Sequence, residues 1–195
     1  MCQFNIGNMN LSNIAAHKNP NIFNKVIVDP EKVYNQLLNN EPVTGQDIEA
    51  LNKIASVIKP KNKNELKIIV KYYSDNCPND SLNWLNVSEI TDMSYLFYGS
   101  KYNGDISKWN VSNVENMAGM FAYSKFNQFI SEWDVSNVEN MAGMFAYSKF
   151  NYNISEWKVS KETNMAGMFA GSQFNLDLSN WNVSKETKEQ MWGKI

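Results

Sequence analysis

Four tryptophans stand 24 residues apart in this chain of 195 residues, at Trp109, Trp133, Trp157 and Trp181. The sequence around them also repeats, because residues 111–127 and 135–151 both read VSNVENMAGMFAYSKFN. A fixed period in the twenties is typical of stacked units that are each too small to bury their own apolar face. We therefore expect an array in which equivalent residues of successive units lie against one another.

One half of each unit has the apolar spacing L-x-x-L-x-L-x-x-L, which is the strand half of a leucine-rich repeat. In the unit that begins at Ile130, Trp133 and Val135 alternate with polar neighbours and are expected to face inward from a short strand. Leu85 takes the tryptophan position in an earlier unit, so the adjacent Trp84 is expected to point the other way.

The other half of each unit predicts a short helix. Met117, Met120 and Phe121 have the spacing of one helix face, and the same residues recur in the next two units. Stacked strands lie about 4.8 Å apart whereas packed helices prefer about 8–10 Å, so the array is expected to curve with its strands on the concave side. The predicted fold class is an α/β repeat, a curved leucine-rich-repeat-like solenoid of short parallel strands and short helices.

An asparagine recurs at one position of four successive units: Asn103, Asn127, Asn151 and Asn175. Asparagine side chains mimic backbone turns, and the backbone amides of a buried turn need hydrogen-bond partners. We interpret this column as a structural ladder rather than as a ligand site.

The pattern divides the chain into four segments. Residues 1–25 are expected to be loose, and residues 26–77 to form a three-helix N-terminal cap whose third helix buries Leu66, Ile69, Val70 and Tyr73. The array spans residues 78–180, in four units that start near residues 82, 106, 130 and 154. Residues 178–195 are expected to form a partial capping repeat, because the apolar pattern becomes polar there.

Composition argues against catalysis and against binding to nucleic acid. The formal net charge is −2 and the chain has no arginine, so neither bulk attraction to phosphates nor bidentate recognition of them is expected. The single histidine, His17, lies in the loose segment, which leaves no histidine-dependent nucleophile or zinc site. We predict a non-enzymatic chain with no catalytic residues, no cofactor and no metal.

The cysteines and the hydropathy bear on the compartment. Cys2 and Cys77 form no metal or redox motif and are expected to be free thiols, with a disulfide or a lipidated Cys2 as the alternatives. No apolar run reaches the length of a membrane span, and the first 25 residues lack the order of a signal peptide. We expect a monomer without membrane insertion, cytoplasmic as written, or at the cell surface if the sequence is a trimmed form.

The outward positions of the strand half define a predicted partner-binding face, made of Trp84, Lys108, Glu132, Asp134, Glu156 and Lys158. An aromatic residue beside charged residues is typical of an interaction hot spot, although Trp84 is equally compatible with burial under the helical cap. The carboxylates of this face are interpreted as solvated groups rather than as a glycosidase pair. The predicted function is non-catalytic binding of a protein partner, of unknown identity, through the concave face. The alternative is a cytosolic inhibitor or adaptor, encoded by a mobile element, that acts through residues 1–58.

One unit also resembles a known family in its sequence, through Phe126, Asn127, Ile130, Ser131, Trp133, Val135, Ser136, Asn137, Val138, Asn140, Met141, Met144 and Phe145. These residues resemble the BspA-like leucine-rich-repeat surface proteins, in the group whose roughly 25-residue repeats occur in mycoplasma lipoproteins. The resemblance covers about residues 60–190. It implies an exported or surface-attached binding array without catalytic residues.

Overall fold

The computed structural model describes residues 35–36, 38–39, 41–43 and 59–193. Two complete helices lie in this part of the chain: α1, Lys63–Asn76, and α2, Lys185–Gln190. Between them the chain runs through turns, and the β-structure of the described residues consists of isolated parallel bridges: Asp92 to Asn116, Asn116 to Asn140, and Asn140 to Asn164. The predicted α/β solenoid of parallel strands and short helices is therefore wrong, because the described residues form no sheet and residues 78–180, all of them described, contain no helix.

The segment that was predicted to be helical instead joins each unit to the next one. Alternate backbone N–H groups, those of Met117, Gly119, Phe121 and Tyr123, donate to carbonyl oxygens of the following unit at 2.8–2.9 Å. Gly119 has a φ of 61°, in the left-handed region that a right-handed helix does not use. The spacing of Met117, Met120 and Phe121 therefore comes from β-turns, in which the Met120 N–H donates to the Met117 carbonyl oxygen at 3.1 Å, rather than from helical turns.

The segment that was predicted to be a strand is also built from turns. The backbone N–H of Trp133 donates to the carbonyl oxygen of Ile130 at 3.2 Å, and that of Val138 donates to Val135 at 3.0 Å. Side chains reach the preceding unit here, since the Trp133 indole Nε1 donates to the carbonyl oxygen of Ile106 at 3.3 Å. The inward direction of Trp133 and Val135 was predicted correctly, whereas the backbone that holds them is not extended.

Columns of apolar side chains form the core, as the 24-residue period indicated. Rings of the central column stack between successive units, with Phe121 and Phe145 at 5.6 Å and an interplanar angle of 2°. Each of these rings also lies 4.2 Å from the next aromatic of its own unit, as in the pair Phe121 and Phe126. All members of the tryptophan column are buried: Leu85, Trp109, Trp133, Trp157 and Trp181.

The predicted asparagine ladder is confirmed. The side-chain Oδ1 of each asparagine accepts the backbone N–H of the next one, over 2.7 Å from Asn127 to Asn103 and 2.9 Å from Asn151 to Asn127. The last step, from Asn175 to Asn151, is 3.2 Å long. This column therefore satisfies backbone amides that lie between the units.

Helix α1 covers the first unit of the array. Asn62 is its N-cap, since the Asn62 side chain accepts the N–H groups of Asn64 and Glu65. The helix buries the four predicted residues Leu66, Ile69, Val70 and Tyr73. Lys63 reaches the first unit, where its Nζ lies 3.0 Å from Asp92 Oδ2. The other two predicted cap helices and the loose segment fall largely outside the described residues.

The two ends of the described array differ in how they are closed. The C-terminal end is closed by α2. Gly167 donates its backbone N–H to the carbonyl oxygen of Gln190, the last residue of α2, and Phe169 donates to that of Met191, which follows it. The indole of Trp192 lies 5.3 Å from the Phe169 ring. Near the other end, Cys77 is buried and disulfide-bonded, so the predicted free thiol is wrong there; Cys2 lies outside the described residues.

Candidate partner-binding surfaces

Four of the predicted partner-binding residues line one surface depression of about 580 Å³: Glu132, Asp134, Glu156 and Lys158. All four are exposed. Their placement follows from the local alternation of the chain, since Trp133 and Val135 are buried and leave Asp134 between them facing solvent. Two successive units contribute two residues each, so the depression depends on the stacking of the units.

Asp134 carries a fixed negative charge in this depression. Hydrogen bonds from the side chain and the backbone of Ser136 lower the pKa of the Asp134 carboxyl, and the positive charge of Lys158 lowers it further. The backbone bond, from Ser136 N–H to Asp134 Oδ1, is 3.1 Å long. Three carboxylates against one ammonium group give the depression a net negative charge, which favours a partner that presents positive charge.

Two predicted residues do not line this depression. Lys108 is exposed one unit earlier, where its backbone N–H donates to Asn83 Oδ1 at 2.8 Å. Trp84 is only 4% exposed, and its ring lies 6.0 Å from the ring of Tyr73 on α1. The assignment of Trp84 to a partner-binding face is therefore wrong, and its burial under the helical cap, which the sequence left open, is what the structure has.

A row of exposed tyrosines was missed by the sequence analysis. Tyr95, Tyr98, Tyr123 and Tyr147 are 49–56% exposed. Their rings form a continuous series with centroid distances of 5.9, 5.5 and 4.8 Å, and we call these four residues the tyrosine ladder. The signal was present in the sequence, because Tyr123 and Tyr147 occupy a column whose other members are Gly99 and Gly171. A column that holds tyrosine in some units and glycine in others is not a core column.

Three tyrosines of the ladder have left-handed backbones, with φ values of 58° at Tyr95, 58° at Tyr123 and 54° at Tyr147. This region is unfavourable for any residue with a Cβ atom and is usually taken by glycine. Glycine takes the equivalent positions of other units, at Gly99 and Gly171 in the column of Tyr123 and Tyr147 and at Gly119, Gly143 and Gly167 in the column of Tyr95, all with φ values of 61–64°. The fold therefore accepts glycine where these tyrosines stand.

The described residues hold neither a metal-binding cluster nor a helix that could span a membrane. They contain no group of three or more histidine, cysteine, aspartate or glutamate side chains arranged to hold a metal ion. Across the same residues, no helix combines the length and the hydropathy that a bilayer crossing requires. His17, the only histidine of the sequence, falls outside them.

Comparison with known proteins gives one family. The chain matches the family described as "Mycoplasma protein of unknown function, DUF285" over residues 67–171 and again over residues 125–194. The two matches overlap, as expected where units of similar sequence follow one another. Searches among curated proteins and among solved structures found no match.

Proposed function

This chain belongs to the DUF285 family of Mycoplasma-type repeat proteins, and we propose that it is a non-catalytic module that binds a protein partner through the depression lined by Glu132, Asp134, Glu156 and Lys158. The observation that carries the proposal is the convergence of four charged side chains from two successive units on one depression. Charged side chains arranged in this way steer and orient a partner of complementary charge. The surface does not need the extended strands that the sequence predicted.

Substitutions at this depression can be chosen from the protein's own columns. Lysine already stands at Lys108 in the column of Glu132, and asparagine stands at Asn110 and Asn182 in the column of Asp134. The double variant Glu132→Lys/Asp134→Asn should therefore fold, while it reverses one charge of the depression and removes another.

The test compares capture of proteins from an extract by the full wild-type chain and by this double variant, with quantitative mass spectrometry as the readout. We expect one or more partners to be captured by the wild type and lost with the variant, while circular dichroism and the unfolding midpoint stay close to those of the wild type. The control is Lys185→Gln, an exposed charge change on α2. Equal capture by both chains would contradict the proposal. Loss of the partner only when residues 1–58 are removed would favour the inhibitor or adaptor function instead.

The narrower resemblance to BspA-like surface proteins forms a second part of the proposal, namely display at a bacterial surface. It is supported by the segment from Phe126 to Phe145, whose residues carry the resemblance. Protease treatment of intact cells tests it. Cleavage of the chain while a cytoplasmic marker stays whole supports display, whereas protection until lysis contradicts it and agrees with the cytoplasmic location predicted from the sequence.

A further inference from the structure

We propose that the tyrosine ladder, with the lysines beside it, is a second docking surface, and that it takes an extended acidic segment of a protein. The surface is separate from the depression that carries the proposed function, and its net charge has the opposite sign. Its constituents are the four ladder tyrosines and the column Lys101, Lys125 and Lys149, which follows two residues behind the column of Tyr123 and Tyr147.

The tyrosines are not required by the fold at these positions. Glycine with the same left-handed backbone stands at Gly99 and Gly171 in the column of Tyr123 and Tyr147, and at Gly119 in the column of Tyr95, so each of these three tyrosines costs conformational free energy that a glycine avoids. The rings remain about half exposed, so burial recovers only part of that cost. Backbone strain that the fold does not need is typical of functional positions.

The packing of the rings restricts what they can bind. Tyr147 stacks on Tyr123 with an interplanar angle of 13°, and on the other side a Cβ atom added to Gly171 would overlap the Tyr147 ring. Tyr95 lies over Gly119 in the same manner. Tyr98 makes edge contacts with Tyr95 and Tyr123 instead, at interplanar angles of 66° and 61°. Tyr147 therefore has both faces covered, and Tyr95 and Tyr123 each have one face covered, which leaves ring edges and hydroxyl groups as the main groups for a partner to contact. Ring edges carry partial positive charge and hydroxyl groups donate hydrogen bonds, so both favour carboxylates over stacked bases or sugars.

The lysine column adds full positive charge along the same line. Lys101, Lys125 and Lys149 are exposed, and none of them forms an ion pair with any residue in the described part of the chain. Successive turns of this column are in contact, since Lys125 N–H donates to Ser100 and Lys149 N–H donates to Ser124. At its first end the ladder enters a groove of about 590 Å³ that Tyr95 and Tyr98 line together with Lys67, Lys71 and Asp75 of α1. Lys71 is ion-paired with Asp75 at 2.7 Å, so Lys67 and Lys101 supply the net positive charge of this groove.

The spacing of this surface is close to that of an extended chain over a few units. Ladder rings of successive units lie 5.5 and 4.8 Å apart. Side chains on one face of an extended peptide recur every ~6.6 Å, so acidic residues at alternate positions move out of step by roughly 1–2 Å per unit and stay within reach of the long lysine side chains across the three units of the ladder. A single-stranded nucleic acid also carries regular negative charge, but its affinity depends on aromatic faces that are open for stacking.

The experiment uses the full chain and a fluorescein-labelled peptide of about twelve residues in which glutamate alternates with threonine, long enough to span the ladder in an extended form. Fluorescence anisotropy measures binding, and peptides in which glutamine or lysine replaces glutamate serve as ligand controls. We expect binding of the glutamate peptide alone, with an affinity that falls as salt rises.

Variants are again taken from the protein's own columns. Tyr123→Gly/Tyr147→Gly copies Gly99 and Gly171, and Lys125→Gln/Lys149→Gln copies Gln173, which follows Lys149 in the same column. Each double variant should weaken the binding of the peptide by about fivefold or more, as expected when two exposed contacts are lost. The matched control is Glu132→Lys/Asp134→Asn, which removes negative charge from the other surface and should not weaken peptide binding.

Three outcomes would overturn this inference. They are absence of binding by the glutamate peptide, equal binding by wild type and ladder variants, and tyrosine-dependent binding of labelled oligo-dT in place of the peptide. None of them bears on the proposed function, which depends on Glu132 and Asp134. Conversely, if those two residues prove unimportant for capture, the peptide experiment still decides the role of the ladder.

Discussion

The indole Nε1 of Trp133 donates a hydrogen bond to the backbone carbonyl oxygen of Ile106, 27 residues earlier in the chain. The same bond recurs at 2.8 Å from Trp109 to Leu82, and at 3.0 Å from Trp157 to Ile130. Each indole therefore fills the core of its own unit and also satisfies a buried carbonyl group of the unit before it. A tryptophan column can do both, whereas an aliphatic column can only fill the core.

Trp133→Ala should lower the free energy of unfolding by about 3–5 kcal/mol, because it opens a cavity and removes the indole donor from the Ile106 carbonyl group, which keeps only the backbone N–H of Trp109 at 3.1 Å. Trp133→Leu is the matched control, since Leu85 holds the same column position in the first unit. We expect a smaller loss with leucine than with alanine in urea unfolding at equilibrium. An alanine variant as stable as the wild type would contradict the assignment of this column to the core.

Asn127→Ala should cost about 1–2 kcal/mol, because the backbone N–H of Asn151 then loses its acceptor at 2.9 Å between two packed units. The comparison is Asn180→Ala, an exposed site where the change should stay within about 0.5 kcal/mol. Urea unfolding of both variants checks the difference. If the two losses are equal, the asparagine ladder does not contribute to stability beyond an ordinary surface residue.

Asp92 joins the array to α1 and makes stability depend on pH. Burial of Asp92 acts to raise its pKa, but hydrogen bonds from the Ser94 backbone N–H and from Lys63, together with the positive charge of Lys63, outweigh burial and lower the pKa. A carboxyl whose pKa is lower in the folded state stabilises the fold above its unfolded pKa of about 3.9 and loses that contribution as the pH falls through the folded pKa.

Asp92→Asn should therefore remove part of the acid sensitivity while it keeps the local turn. Asparagine stands in the same column at Asn116, Asn140 and Asn164, and Asn116 Oδ1 accepts the N–H two residues ahead, as Asp92 Oδ1 does. Urea midpoints at about pH 6 and about pH 3 measure the effect, and the wild type should lose more stability than the variant between them. Equal losses would mean that the contact between Lys63 and Asp92 is not linked to stability.

The inward and outward assignment of residues could be predicted from the sequence, because it depends only on the 24-residue period. Any regular stacking of such units places Trp133 on Trp157 and Phe121 on Phe145, whatever the backbone does between them. The asparagine ladder and the buried face of α1 followed from the same kind of pattern. Four of the six predicted surface residues came together in one depression for the same reason.

The backbone conformation could not be predicted in this way, because apolar residues three positions apart fit both a helical face and the two ends of a β-turn. The L-x-x-L spacing was interpreted as part of a strand, yet Trp133 hydrogen-bonds to Ile130 inside its own turn. Gly119, Gly143 and Gly167 were a local warning in the sequence, since glycine is unfavourable inside a helix, and all three have a left-handed φ in the structure. The tyrosine ladder was missed for a related reason, because an exposed column of tyrosines has no apolar periodicity of its own.

Gly171→Ala tests the left-handed backbone at the end of the ladder. Where φ is negative, replacing glycine with alanine usually stabilises a protein by about 0.4–1 kcal/mol, because the unfolded chain loses entropy. Gly171 has a φ of 61°, and a Cβ atom there would overlap the ring of Tyr147. We therefore expect the opposite sign, a loss of about 1–2 kcal/mol in urea unfolding.

Tyr147→Gly is the reciprocal change. Relief of strain in the folded state opposes the added entropy of the unfolded chain and the loss of the ring contact, so the free energy of unfolding should change by no more than about 1 kcal/mol. A stabilised Gly171→Ala protein would show that this column is not left-handed, and the argument that its tyrosines are strained would fail with it.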